Sequence, residues 1–463
     1  MTKSPWPVRI VLALAVTVYI VYSSFGIAHP CLWGHMGHHE AEYMMRVRTT
    51  FRQHMLTPAT HAGYDVPPWQ DYYFHHPIGY HHLLGIFTLI VGDHIWTPTL
   101  FPALTGLLTM LALFVLVRRW WSREWAAVAV ATWVGLPIIW TFSILTDAMF
   151  PAMACSIYFC HCYLEFTEKP SKTWLKRTVL TQLLFGLLFW EAYFQAVFHG
   201  LQIIVWGRTK RGRAQKVGRW PAWIAWFVAT AAMSSATMAF HLIFLWKKGM
   251  WADFLTSFQQ RHSASFNFIY TRHKEWLHLL YGWPLVYIGF LWLGVFVVRA
   301  CLGHARKRDQ AVLIFFAINT IYIILFAEGS SLHLYRVFWY SSFLVLAVTD
   351  LACDLYGLLE RAAPGKKSWA MAATAAVLGA YFVVETPHSF ANLLESRVMM
   401  GTLGEPHYNA DYPKQLFAME VAKRTGPKDL VLVHRNLPHR VEFWYYVDRT
   451  NRLISTVAEA PRF

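Results

Sequence analysis

The chain has 463 residues, of which 56% are hydrophobic and only 14% charged, well short of the charged share of a soluble globular protein. The formal net charge of +15 does not indicate a nucleic-acid partner, because the lysines and arginines sit in short loops between apolar runs. Composition therefore excludes a soluble domain and defines an all-α polytopic membrane protein with membrane lipids around it.

In chain order, Lys3 and Arg9 precede an apolar run that reaches Ala28 without a small-residue cleavage pattern, so residues 8–28 read as an uncleaved first span. A long loop follows, roughly 29–78. Residues 79–92 are apolar but too short to cross, and read as a half-span or a helix lying in the interface. Further spans are expected at about 97–117, 125–142, 147–165, 178–190, 193–206, 221–245, 280–299, 311–327, 337–356 and 370–386, about eleven in all. The spans at 178–190 and 193–206 are short and meet at Trp190-Glu191, which predicts a tight helical hairpin. Cys155, Cys160 and Cys162 fall inside an apolar run, where packing is their expected role, and the cysteines form no disulfide or zinc framework.

Basic loops set the orientation. Arg118, Arg119 and Arg123 mark one, and Lys169, Lys172, Lys176 and Arg177 the next. A third runs from Arg208 to Arg219, a fourth holds Arg306, Lys307 and Arg308, and a fifth holds Arg361, Lys366 and Lys367. With 79–92 left uncounted, all fall on the side of the N-terminus, which predicts N-terminus cytoplasmic and C-terminus periplasmic in a bacterial inner membrane. The expected domains are a membrane domain over 1–386, with large outer loops at 29–78 and 246–279, and a small periplasmic α/β tail over 387–463. In the tail, Asp411 and Pro413 open a helix that Gly426-Pro427 stops, with Leu416, Phe417, Met419, Val421 and Ala422 as its apolar face. Leu430–Val433 and Val441–Val447 read as strands.

The chemistry-bearing groups map to the outer side. The first outer loop carries His35, His38, His39, Glu40 and Glu42, continues as a basic helix through Arg46, Arg48 and Arg52, and ends at His75-His76-Pro77-Ile78-Gly79. Glu42 and Arg46 stand at helical spacing. Asp147 lies at the outer end of a span, where a carboxylate costs insertion energy and needs a reason, either a ligand or a helix N-cap. Glu191 sits at the outer turn of the helical hairpin, Arg261 and His262 in the second outer loop, and His333, Tyr335 and Arg336 at the outer start of a late span. Arginine at a bilayer edge also snorkels without any further role, and aromatic belts are common there. The convergence of acids, bases and donors on one face is what argues for a site.

This order of features resembles the GT-C superfamily of membrane glycosyltransferases, in the branch of protein O-mannosyltransferases and lipid A aminoarabinose transferases. The resemblance covers about residues 5–360. It rests on the acidic helix start of the first loop with His76-Pro77-Ile78-Gly79, on the span Pro102–Arg119 with its basic end, on Thr146-Asp147, and on Leu332-His333-Leu334-Tyr335. It implies inverting transfer of a sugar from a polyprenyl-phosphate-linked donor to a lipid, glycan or protein acceptor on the outer face. The family's first loop usually carries an Asp-Glu pair, and this chain departs from it with His39-Glu40. The resemblance then assigns the base to Glu40 first, Glu42 second, or His39 itself. It assigns phosphate contact to His76 and Arg261, then Arg336, with His75, Glu191, His262, His333 and Tyr335 as further substrate-binding groups. Asp147 is expected to orient the acceptor, or to hold a divalent metal if one is used.

Two other classes compete. His35-Met36-Gly37-His38-His39 fits the HxxHH box of membrane diiron oxidases, and His76 with His81-His82 makes a second cluster. Both lie in one outer loop, and a third box is missing. A transporter, or a GT-C-like protein without activity, is the remaining alternative, although transporters place ionisable residues at mid-membrane rather than at one surface.

Overall fold

A computed structural model describes residues 6–28, 34–52, 76–143, 145–208, 220–261, 265–327, 334–362, 417–426, 429–434 and 450–454. It is helical almost throughout. The helices are α1 (Trp6–Ala28), α2 (Gly34–Arg52), α3 (Gly79–Val91), α4 (Thr97–Trp120), α5 (Arg123–Val134), α6 (Pro137–Ser143), α7 (Met149–Glu168), α8 (Lys172–Leu188), α9 (Glu191–Arg208), α10 (Trp220–Lys247), α11 (Trp251–Gln260), α12 (Phe266–Tyr281), α13 (Trp283–Cys301) and α14 (Lys307–Leu325). A 3-10 turn, Leu334–Trp339, leads into α15 (Tyr340–Ala362). Among the described residues, five helices are long and apolar enough to cross a membrane: Thr97–Trp120, Pro221–Lys247, Trp283–Cys301, Lys307–Leu325 and Arg336–Ala362. This is an integral, multi-pass membrane protein. The expected spans 8–28, 147–165, 178–190 and 193–206 fall on α1, α7, α8 and α9, and the span 370–386 lies outside the described residues. The expected domain boundary near 386 lies there too.

The span expected at 125–142 is broken. α5 and α6 meet at a bend of 70°. Pro137 has no N–H to give to a continuing helix, and its ring collides with the preceding turn. The indole Nε1 of Trp140 donates to the freed Val134 carbonyl at 2.5 Å, so the break leaves that acceptor satisfied.

The helices fall into two compact units. The larger comprises residues 1–22, 104–142 and 148–392. Its core is aromatic: Trp133, Trp226, Trp292 and Trp339 are fully buried together with Tyr163 and Phe159. Polar side chains then join the helices where lipid offers no hydrophobic drive. Ser156 of α7 donates to Gln195 Oε1 of α9 at 2.6 Å, His199 Nδ1 lies 2.9 Å from Gln202 Oε1, and Gln202 Nε2 donates to the Gln310 carbonyl of α14 at 3.0 Å. At the basic ends of α13–α15, Asp350 is buried among Arg299, Arg306 and Arg308, and accepts from the indoles of Trp121 and Trp292 at 2.9 and 3.0 Å. Asp309 accepts the backbone N–H of Arg306 at 2.7 Å and so starts α14.

The second unit comprises residues 23–103, 143–147 and 393–463, and holds α2, α3 and the beginning of α4. Its described C-terminal part has a helix over 417–424 and a parallel pair of strands, β1 (Leu430–His434) and β2 (Thr450–Ile454). The strand expected at Val441–Val447 lies outside the described residues, and the partner of β1 is a strand that the sequence reading had not assigned. Phe417, placed on the helix's apolar face, is 55% exposed, and Ala418 is the buried residue.

Candidate functional site

The second unit is built around α2. From Ala41 to Thr50 only Glu42 and Arg48 are less than fully buried, so this is an enclosed helix rather than a solvated loop. It seats on α3 through Gly85, where the Phe51 ring occupies the space that a side chain would need. Tyr43 packs edge-on to Tyr80 at 5.2 Å and against His81 at 5.1 Å, and Tyr80 continues to Phe101 at the start of α4 at 5.9 Å. Arg48 holds Asp93, beyond the end of α3, through Nε at 2.7 Å and a second nitrogen at 3.1 Å. This two-pronged pair fixes the tilt of α2 on α3.

On this scaffold Glu42 and Arg46, four residues apart, form an ion pair. The Arg46 side chain is 5% exposed and that of Glu42 is 24% exposed, so the carboxylate is the more accessible partner. The Arg46 guanidinium also lies 5.9 Å from the centre of the Tyr43 ring. Burial pushes the His81 imidazole well below its usual range, and the charges of Arg46 and His82 push it the same way, so His81 is neutral at neutral pH. His82 turns elsewhere, with Nδ1 3.0 Å from the Ile78 carbonyl. His76 is buried beside Pro77.

Asp147 belongs to this unit too. It is 6% exposed and stands immediately before Ala148, at the start of α7. The preceding hydroxyl, Thr146 Oγ1, donates to the Pro98 carbonyl at 2.6 Å and ties the Asp147 turn to the start of α4. A buried carboxylate, a partly exposed carboxylate paired to arginine and a neutral imidazole give this unit the means to accept a proton and to meet an anion.

The sequence candidates distribute as follows. Glu42, His76 and Asp147 all sit in the second unit. His39 and Glu40 lie in the first turns of α2, but their side chains are outside the described residues, as are His75, His262 and His333 altogether. Tyr335 lies in the 3-10 turn, with its side chain likewise outside. Arg261 ends α11, its N–H donating to the Ser257 carbonyl at 3.3 Å. Glu191 and Arg336, in the larger unit, meet each other at 3.4 Å with side chains 1% and 4% exposed, and the Arg336 guanidinium lies 4.3 Å from the Tyr322 ring centre. Arg46 and Tyr43 have no role assigned from sequence and His81 only a place in the rival histidine cluster, although the spacing of Glu42 and Arg46 is an available signal. Among the described residues no three His, Cys, Asp or Glu side chains come together to hold a metal ion.

The fold defines the class. Its fold is similar to that of solved GT-C membrane glycosyltransferases, in agreement with the resemblance read from its motifs. Residues 75–238 match the family model described as dolichyl-phosphate-mannose-protein mannosyltransferase. Among solved structures, the chain is similar to ArnT from Cupriavidus metallidurans bound to undecaprenyl phosphate, at 16% identity and a TM-score of 0.58, over 97% of this chain and 86% of that one. It is also similar to the archaeal oligosaccharyltransferase AglB from Archaeoglobus fulgidus, in complex with an inhibitory peptide and a dolichol-phosphate, at 13% identity and a TM-score of 0.59. That likeness covers 96% of this chain and 64% of the larger AglB chain. No curated protein matches by sequence.

Proposed function

We propose that the chain transfers a sugar from a polyprenyl-phosphate-linked donor to an acceptor at the periplasmic face of an inner membrane. The observation that carries this reading is the Glu42–Arg46 pair on an enclosed helix, beside neutral His81, in a GT-C fold. Transfer needs a base for the acceptor proton and positive charge for the leaving phosphate. The carboxylates of α2, Glu42 and the neighbouring Glu40, are assigned the proton. Asp147 is assigned the orientation of the acceptor, and His76 contact with the donor phosphate. Arg46 holds the Glu42 carboxylate in place before the acceptor arrives. The acceptor oxygen or nitrogen then attacks the anomeric carbon as the bond to the phosphate oxygen breaks. One such displacement inverts the sugar. The undecaprenyl phosphate named with ArnT and the dolichol-phosphate named with AglB support a lipid-phosphate partner.

The test is transfer from radiolabelled polyprenyl-phosphate hexoses in proteoliposomes, with a panel of lipid, glycan and peptide acceptors. Glu42→Gln, Glu40→Gln and Asp147→Asn are compared with the parent. Loss of the base lowers the rate by roughly 10²–10⁴-fold. Full activity in all three variants rejects the assignment.

A further inference from the structure

Within the larger unit an open cleft of about 760 Å³ runs between α13 and α15. Its walls are apolar: Ile288, Leu291 and Val295 on one helix, Val348, Leu351, Leu355 and Leu358 on the other. Leu291, Leu355 and Leu358 are exposed along it. From Ile288 to Arg299 the wall rises about 16 Å at 1.5 Å per residue. That is close to the depth of one leaflet, half of a hydrocarbon core of about 30 Å.

The cleft ends in charge. Arg299, His304, Arg306, Asp354 and Arg361 line that end. Arg299, Arg306 and Arg308 are committed to Asp309, Asp350 and Asp354, three cations against three anions in one network. Arg361 and His304 stand outside it. Arg361 is exposed, and its Nε donates to the Gly357 carbonyl of its own helix at 3.0 Å. His304 is exposed, and its backbone N–H donates to the Arg299 carbonyl at 2.7 Å. A guanidinium and an imidazole thus lie at the charged end of an apolar cleft about as long as one leaflet is deep, next to a base of paired charges. The basic loops put this end on the cytoplasmic side, where basic pockets between spans take anionic headgroups.

We propose that this cleft binds one anionic phospholipid of the cytoplasmic leaflet, with an acyl chain against Leu291, Val295, Leu351 and Leu355 and the phosphate at Arg361 and His304. The site is independent of the transfer reaction proposed above. The test is native mass spectrometry of the full-length purified chain, with phosphatidylglycerol and phosphatidylcholine of identical acyl chains. Retention of one phosphatidylglycerol is expected, with at least about fivefold preference over phosphatidylcholine, the factor that one basic residue near an anionic surface supplies. Arg361→Gln combined with His304→Gln removes the preference without lowering the melting temperature. Leu355→Trp, which fills the cleft, lowers retention of both lipids. Equal retention of the two lipids, or a preference that survives the double substitution, overturns the proposal. So does displacement of phosphatidylglycerol by one equivalent of undecaprenyl phosphate, which would make the cleft a carrier site.

Discussion

Breaking the Glu191–Arg336 pair is expected to unfold the larger unit more readily than any single surface change. The two side chains meet at 3.4 Å, 1% and 4% exposed, so neither ion reaches bulk water if its partner is lost. Glu191 opens α9, where the helix dipole favours a carboxylate, and Arg336 sits in the 3-10 turn before α15 with its guanidinium 4.3 Å from the Tyr322 ring centre. Removing one member of such a pair leaves a buried charge and costs about 3–5 kcal/mol, whereas replacing both with apolar groups of similar size is often near neutral. Glu191→Leu and Arg336→Met are therefore each expected to destabilise by about 3–5 kcal/mol, and Glu191→Leu/Arg336→Met by much less than the sum. Equilibrium unfolding in mixed micelles, followed by tryptophan fluorescence, gives the double-mutant cycle. Additive losses, or a single-variant cost below about 1 kcal/mol, would refute the buried-pair reasoning. Transfer activity of the double variant separates the roles: recovery of fold and activity together makes the pair structural, and recovery of fold alone returns Arg336 to substrate binding.

Three further outcomes follow from the packing. The depressed His81 pKa means the folded chain binds that proton less readily than the unfolded chain, so stability is held above pH 6.5 and lost as pH falls below it. His81→Gln should remove up to about 1.4 kcal/mol per pH unit of that acid-side slope, measured by unfolding from pH 7.5 down to 5. Gly85→Leu places a side chain where the Phe51 ring lies and should dislodge α2 from α3, read as loss of transfer with the larger unit still folded by circular dichroism. Asp350→Ala leaves Arg299, Arg306 and Arg308 short of a shared buried anion and should cost about 3–5 kcal/mol in the same unfolding assay, while Asp350→Asn, whose amide keeps one acceptor oxygen where the carboxylate had two, recovers one of the two indole bonds.

What was legible in the sequence was whatever hydropathy and local spacing determine. The helical hairpin at Trp190-Glu191 follows from two short apolar runs, and it appears as α8 and α9. The short helix at Gly79–Val91 follows from its length. Hydropathy alone could not locate the break at Gly135–Pro137, because a bent pair and a straight span have the same composition; the Trp140 bond to the Val134 carbonyl is one of the bonds that satisfy the backbone there. The same limit applies to chemistry. Glu191 and Arg336 lie 145 residues apart, and each reads alone as a ligand for substrate; the fold brings them together, which changes the first question from what they bind to what they hold. Arg46 shows the converse. It reads as one basic residue among several, yet burial on α2 makes it the charge that pairs with Glu42 and that adds to the effect of burial in pushing the His81 imidazole down. The carboxylate proposed as the base is therefore one paired to a buried arginine on α2. It depends on α2 staying enclosed, and therefore on Gly85 and the Arg48–Asp93 pair as much as on Glu42 itself.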